Sequence, residues 1–196
     1  MKNFALAIIV AFSAAANVGA TCDGWYCDLV GIYFDEDGQC ALASLPPMVP
    51  VPAYLIFSNM RSATINAWEI KLEMNQVIML NFEERNQHVT VSPLPGEYMC
   101  GLATPQVVTG GMYIAADMTI MMPHWGAGYI AGDGVRFHLM DDEVPCYTDE
   151  HDVAYALRAI FSDWNGEGLL CGLGVDHPCL VAAQGMTFGA VKSLFR

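Results

Sequence analysis

Basic residues are scarce in this chain. Only 8 Lys and Arg stand against 21 Asp and Glu among 196 residues, a net charge of −13. Phosphate backbones and anionic membrane surfaces are gripped by Lys and Arg, so the balance argues against nucleic acid or an acidic lipid surface as partner. Charge of either sign is sparse, at 15%, while 54% of the residues are hydrophobic, which argues against a disordered tail or a coiled coil. No apolar run reaches the roughly 20 residues of a bilayer span. The chain has no Asn-x-Ser/Thr acceptor, no Gly-x-Ser-x-Gly elbow, no His-Glu-x-x-His pair, no internal repeat and no low-complexity segment.

The first 20 residues read as a secretory signal peptide. Lys2 supplies the positive start, residues 4–16 are apolar apart from Ser13, and Val18-Gly19-Ala20 offers small residues for cleavage before Thr21. A lipid anchor on Cys22 is the rival reading, but Gly19 stands where that signal wants a Leu-like residue. The remaining 176 residues carry 21 acidic and 7 basic groups, and we expect a secreted, extracellular or periplasmic bacterial protein. Export makes disulfides the default for Cys22, Cys27, Cys40, Cys100, Cys146, Cys171 and Cys179. Seven is odd, so one thiol is left over. Cys171 with Cys179 is one expected pair, and Cys22 or Cys27 with a later partner is another. A zinc site is the alternative, although Cys22-x4-Cys27 is no ribbon or finger spacing.

The patterning is mostly β. Residues 28–34 make a short apolar strand, Asp35-Glu36-Asp37-Gly38 a turn, and residues 40–45 a returning strand. The proline-rich stretch 46–52 is an edge or a connection, because proline removes ladder donors. Residues 53–58 (AYLIFS) form a buried strand. In residues 66–74, Trp68, Ile70, Leu72 and Met74 take one face and Glu69, Lys71 and Glu73 the other, the period of a half-buried antiparallel strand. Residues 76–82, 88–92, 112–122 and 135–140 read as further strands. Residues 152–164 fit a helix or a strand, with Asn165-Gly166 favouring the strand. Residues 187–196 place Phe188, Val191, Leu194 and Phe195 on one face of a short terminal helix capped by Thr187.

The strand AYLIFS, a polar loop and then the strand INAWEIKLEM resemble the opening of cohesin-type and related carbohydrate-binding-module-like sandwiches, over about residues 51–141. The resemblance implies a nine-stranded, jelly-roll-like sandwich that binds dockerins or polysaccharides or serves as a structural module on secreted bacterial proteins. One departure is Asn75-Gln76-Val77-Ile78, where that pattern expects an acidic stretch.

Candidate sites each have a plainer reading. Asp35 and Asp37 begin a run like many calcium loops, but Gln39 and Pro46 break the twelve-residue pattern, and Asp-Gly also suits a hairpin turn. Asp141, Asp142 and Glu143, with Asp149, Glu150, His151 and Asp152, could hold a cation or form a solvated loop. His88, His124, His138, His151 and His177 offer bases without a recognisable nucleophile, and export argues against a catalytic thiol beside His177. Trp125 and Trp164 sit in loops, where an exposed indole could stack on a sugar; Trp25 and Tyr26 lie near the cleavage site. Trp68 should be core, and Met118, Met121 and Met122 should fill it.

These readings converge on an all-β antiparallel β-sandwich, jelly-roll or Ig-like, stapled by disulfides. A single domain over residues 21–185 would be followed by the short helical tail of residues 186–196. Such a chain buries about 70% of its unfolded surface. The expected function is a non-enzymatic extracellular module that binds a glycan or a protein, with calcium stiffening a loop. A secreted hydrolase and a self-associating envelope or filament protein are the alternatives.

Overall fold

A computed structural model of the chain describes residues 27–86, 88–92, 94–135, 144–162, 168–173 and 179–180. The described strands are β1 (Leu29–Tyr33), β2 (Leu42–Ser44), β3 (Val51–Ser58), β4 (Thr64–Asn75), β5 (Ile78–Glu84), β6 (His88–Val91), β7 (Glu97–Val107), β8 (Tyr113–Met121), β9 (Gly128–Asp133), β10 (Cys146–Thr148), β11 (Ala154–Ala156), β12 (Arg158–Ala159), β13 (Phe161–Ser162), β14 (Gly168–Leu173) and β15 (Cys179–Leu180). No helix occurs among the described residues. The expected signal peptide and terminal helix fall on residues outside them.

The strands form two sheets. The first runs β12-β1-β3-β8-β5, and the second runs β11-β10-β4-β9-β14-β2-β15, with β7 beside β4 and β6 beside β7. Their apolar faces meet over one core. From the first sheet come Val30, Ile32, Leu55, Phe57, Met118 and Ile120; from the second, Trp68, Ile70, Leu72, Cys100, Ile130, Tyr147 and Leu170. Phe57 meets Trp68 edge to face, with ring centres 5.9 Å apart. The alternation read in β4 holds on its inner side. Glu69 is a correction: it lies on the outer side, yet it is fully buried, and its Oε1 accepts the Cys146 thiol at 3.3 Å.

The connections depart from a simple meander. The 35–39 turn is closed by the Phe34 N–H donating to the Cys40 carbonyl at 2.8 Å. β2 then leaves for the second sheet, where it lies parallel to β14 and β15, rather than returning along β1. β12 also runs parallel to β1, so the sandwich is antiparallel only in its larger part. Pro52 sits inside the central strand β3. Strand β1 pairs only with residues 54–58 of β3, so on that side the missing N–H of Pro52 faces no neighbour. From Ala154 the segment is strand, as Asn165-Gly166 suggested, but split among β11, β12 and β13, which alternate between the sheets.

The cysteines correct the picture of a stapled core. Cys40 is disulfide-bonded, whereas Cys27, Cys100, Cys146 and Cys171 carry buried thiols. The expected Cys171 to Cys179 bridge is therefore absent. Cys171 points inward from β14 and packs as an apolar residue in the core. Burial pushes the Cys171 thiol up to about 12 and the Cys100 thiol up to about 11. The thiolate is the reactive form. At pH 8 an alkylating reagent should therefore leave Cys100 and Cys171 unmodified in the native chain and label both in guanidinium. Native labelling of Cys171, read by peptide mass spectrometry, would contradict this core.

Candidate functional site

Asp28 opens β1 in the left-handed region, at φ 53°, and its carboxylate is fully buried. A charge taken that far from water is costly unless its oxygens are used. Oδ1 accepts the Arg61 N–H at 2.9 Å and the Tyr147 hydroxyl at 2.7 Å, and Oδ2 accepts Arg61 Nε at 2.5 Å. The Asp28 N–H donates to the Asn59 carbonyl at 2.9 Å, and its carbonyl accepts the Arg158 N–H at 2.8 Å. One residue thus joins the start of β1, the β3–β4 loop, β10 and β12.

The network extends outward. The Tyr147 ring stacks on Tyr155 at 4.9 Å, and the Arg61 guanidinium covers the Tyr155 ring at 5.5 Å. The Tyr155 hydroxyl donates to Asp149 Oδ2 at 3.1 Å, while Asp149 Oδ1 accepts the N–H groups of His151 and Val153 at 2.8 and 3.0 Å. Burial, reinforced by Asp28, raises the Tyr147 hydroxyl and keeps it a donor. Burial works against the Asp149 charge, but the Val153 and His151 N–H groups outweigh it and hold the carboxyl below its usual range. Asp149, read from sequence as a cation ligand, is thus occupied by its own chain. This end of the sandwich is a polar clamp.

The other expected cation ligands divide. Asp35 Oδ1 accepts the Gln39 N–H at 2.8 Å, as a turn requires, and Asp37 is exposed. Their neighbour Glu36 meets Arg85 Nη2 at 2.6 Å, and Arg85 also makes a forked contact to Asp117 at 2.7 to 3.1 Å. The Arg85 guanidinium lies over the Tyr54 ring. A cation from the chain itself therefore answers the acidic loop and holds it against the outer face of the first sheet, where Tyr33, Ala41 and Ile56 are buried together. Asp141, Asp142 and Trp164 lie outside the described residues. Among those described, no three His, Cys, Asp or Glu side chains converge as a metal would need. His88 faces Glu84 at 3.4 Å, and its Nδ1 lies 2.7 Å from the Asn86 carbonyl oxygen.

Two exposed features remain. Trp125, in the β8–β9 loop, is 66% exposed, as a loop indole should be. The second was not read from the sequence. Val89 and Val91 on β6 and Val107 on β7 are 72%, 56% and 75% exposed. Val89 lies opposite Gly101 and Val91 opposite Met99, and Val107 opposite Thr64, which places all three on the outer face of the second sheet. Alternation in residues 88–91 was visible, but period two does not say which side faces water.

No known sequence family matches the chain, and no curated protein does. Solved structures do match in shape. The sixth cohesin of scaffoldin B from Acetivibrio cellulolyticus, in complex with a mutant Cel5 dockerin, superposes with a TM-score of 0.51 at 9% identity, covering 76% of this chain and 99% of that one. The seventh ScaB type I cohesin from Pseudobacteroides cellulosolvens gives 0.48 at 14% identity, covering 83% and 100%. The first of these shows the fold to be cohesin-like, as the strand pattern of residues 51–141 implied.

The clamp has a measurable weight. Replacing Asp28 by Ala leaves the buried Tyr147 hydroxyl and the Arg61 N–H without their acceptor, while the half-exposed Arg61 guanidinium can turn to water, so the loss should be roughly 2–4 kcal/mol. Urea unfolding checks it. A loss below about 1 kcal/mol would show that the carboxylate does not hold this end together.

Proposed function

We propose that this cohesin-like chain is an exported, non-enzymatic module that binds another protein through the outer face of its second sheet. The observation that carries the reading is the exposed pair Val89 and Val91 on the short edge strand β6, with Val107 exposed on the same face further along β7. Valine on an open sheet face gains nothing from water, and contiguous exposed apolar surface marks an interaction site. The cohesin of matching fold is in complex with a dockerin, which supports a protein as the partner. The buried clamp and the loop held by Arg85 leave that face to the partner, and they offer no nucleophile with a base beside it.

Self-association is a second reading. Among the described residues, β6 pairs only with β7 and β5 only with β8, so each carries an open edge, and open edges can pair with a second copy.

Calorimetry against a panel of dockerin modules, with sedimentation of the chain alone, separates the two. We expect a one-to-one complex whose affinity falls about ten-fold or more, at least about 1.4 kcal/mol, in Val89→Asp and Val91→Asp variants that melt like the parent. A concentration-dependent dimer abolished by the same variants favours self-association. Dockerin binding untouched by both variants places the partner elsewhere.

A further inference from the structure

The opposite end of the sandwich from the Asp28 clamp is built differently. Three connections meet there: residues 45–50 before β3, residues 76–77 between β4 and β5, and residues 122–127 between β8 and β9. The Met48 N–H donates to the Met122 carbonyl at 2.7 Å, Ile78 lies opposite Met121, and Asn75 Nδ2 donates to the Tyr129 hydroxyl at 3.3 Å. Residues 45–50, 74–79 and 120–130 include no Asp, Glu, Lys or Arg, in a chain whose net charge is −13. Met48 and Trp125, on two of these connections, are 64% and 66% exposed, and Ile78 is 41% exposed. The described connections thus form an uncharged, largely apolar platform that carries an exposed indole.

Its backbone is also held in costly shapes. Six described residues other than glycine have positive φ, and four of them are Asp or Asn, which tolerate it. The other two, Met48 at 58° and Gln76 at 58°, are both at this end. Such conformations are strained for residues with a side chain of this size and gather at ligand-binding loops. Gly126, next to Trp125, has φ 153°, and no atom lies within 4 Å of where a Cβ would stand. A ligand can approach that backbone unobstructed.

We propose that this end binds a neutral polysaccharide, with Trp125 as the stacking platform. A pyranose ring presents C–H groups on its faces and hydroxyls round its edge. The faces lie on a flat indole, and the exposed Gln76 and His124 side chains can meet the edge, the usual pairing of apolar surface with a few polar groups. Charge selects among ligands. Among the described residues of the three connections, an anionic polymer or anionic lipid surface finds no Lys or Arg, and a basic peptide finds no carboxylate. An uncharged glycan needs neither. The site lies beyond the last residue of β4, whereas the three valines flank its first half, so the two surfaces are independent.

The test is retention of the chain on microcrystalline cellulose, insoluble xylan and chitin, with phosphatidylcholine vesicles as the apolar control. We expect retention on at least one polysaccharide, reduced ten-fold or more by Trp125→Ala, partly kept by Trp125→Phe, and unchanged by Val89→Asp. The melting temperature should be unaltered, since the indole is exposed. Retention that survives Trp125→Ala overturns the proposal, as does binding to the vesicles alone or to none of the four. Loss with Val89→Asp instead would assign the glycan to the β6–β7 face.

Discussion

A single buried carboxylate sets the geometry from which the rest follows. Asp28 stands where the chain enters the first sheet, and its carboxylate is accepted into the interior because Arg61 and the Tyr147 hydroxyl come to it, while its own N–H and carbonyl bond the Asn59 carbonyl and the Arg158 N–H. Those partners belong to three segments: Asn59 and Arg61 to the β3–β4 loop, Tyr147 to β10 and Arg158 to β12. Satisfying the charge therefore fixes how β1 meets the β3–β4 loop and β10, across both sheets, and the backbone of the same residue adds β12. A hydrophobic core alone tolerates many packings of similar volume, whereas a buried charge tolerates few.

The acidic surplus is distributed with the same economy of cations. Arg61 serves Asp28, Arg85 serves Glu36 and Asp117, and Lys71 pairs with Glu73. The acidic turn after β1 is thereby held down by the chain itself and covers apolar side chains on the outer face of the first sheet. What remains unanswered is different in kind at three places. One end is closed by the clamp, the outer face of β6 and β7 carries bare valines, and the described connections of the other end contain no Asp, Glu, Lys or Arg. The molecule thus presents three surfaces of distinct chemistry on one rigid frame.

Much of this was legible in the sequence, and the omissions have physical causes. AYLIFS and the alternation around Trp68 announced β3 and β4 because one face of each is continuously apolar. Strands β7, β9 and β14 were not seen. β7 contains Gly101 and Pro105 and bulges against β4, which breaks its alternation. In β9, Gly132 stands where a Cβ would come within 2.8 Å of Leu170, so the residue that reads as a loop signal is a packing requirement. The burial of Glu69 was hidden because period two describes one sheet and not what lies over its outer side. The Cys171 pairing was misread because spacing along the chain says nothing of which way a thiol points. The exposure of Trp125 was legible, since a loop position favours it. Asp28 was passed over, because nothing local distinguishes a carboxylate that opens a strand from one that waits in solvent.

Amide hydrogen exchange, resolved residue by residue, tests the central claim most directly. If the clamp organises the fold, the amides of Asp28, Arg61 and Arg158 open only with global unfolding and rank with those of β3 and β4, while the amides of residues 123–127 exchange far faster. Exchange at Asp28 and Arg61 as fast as in the 123–127 loop would contradict the account.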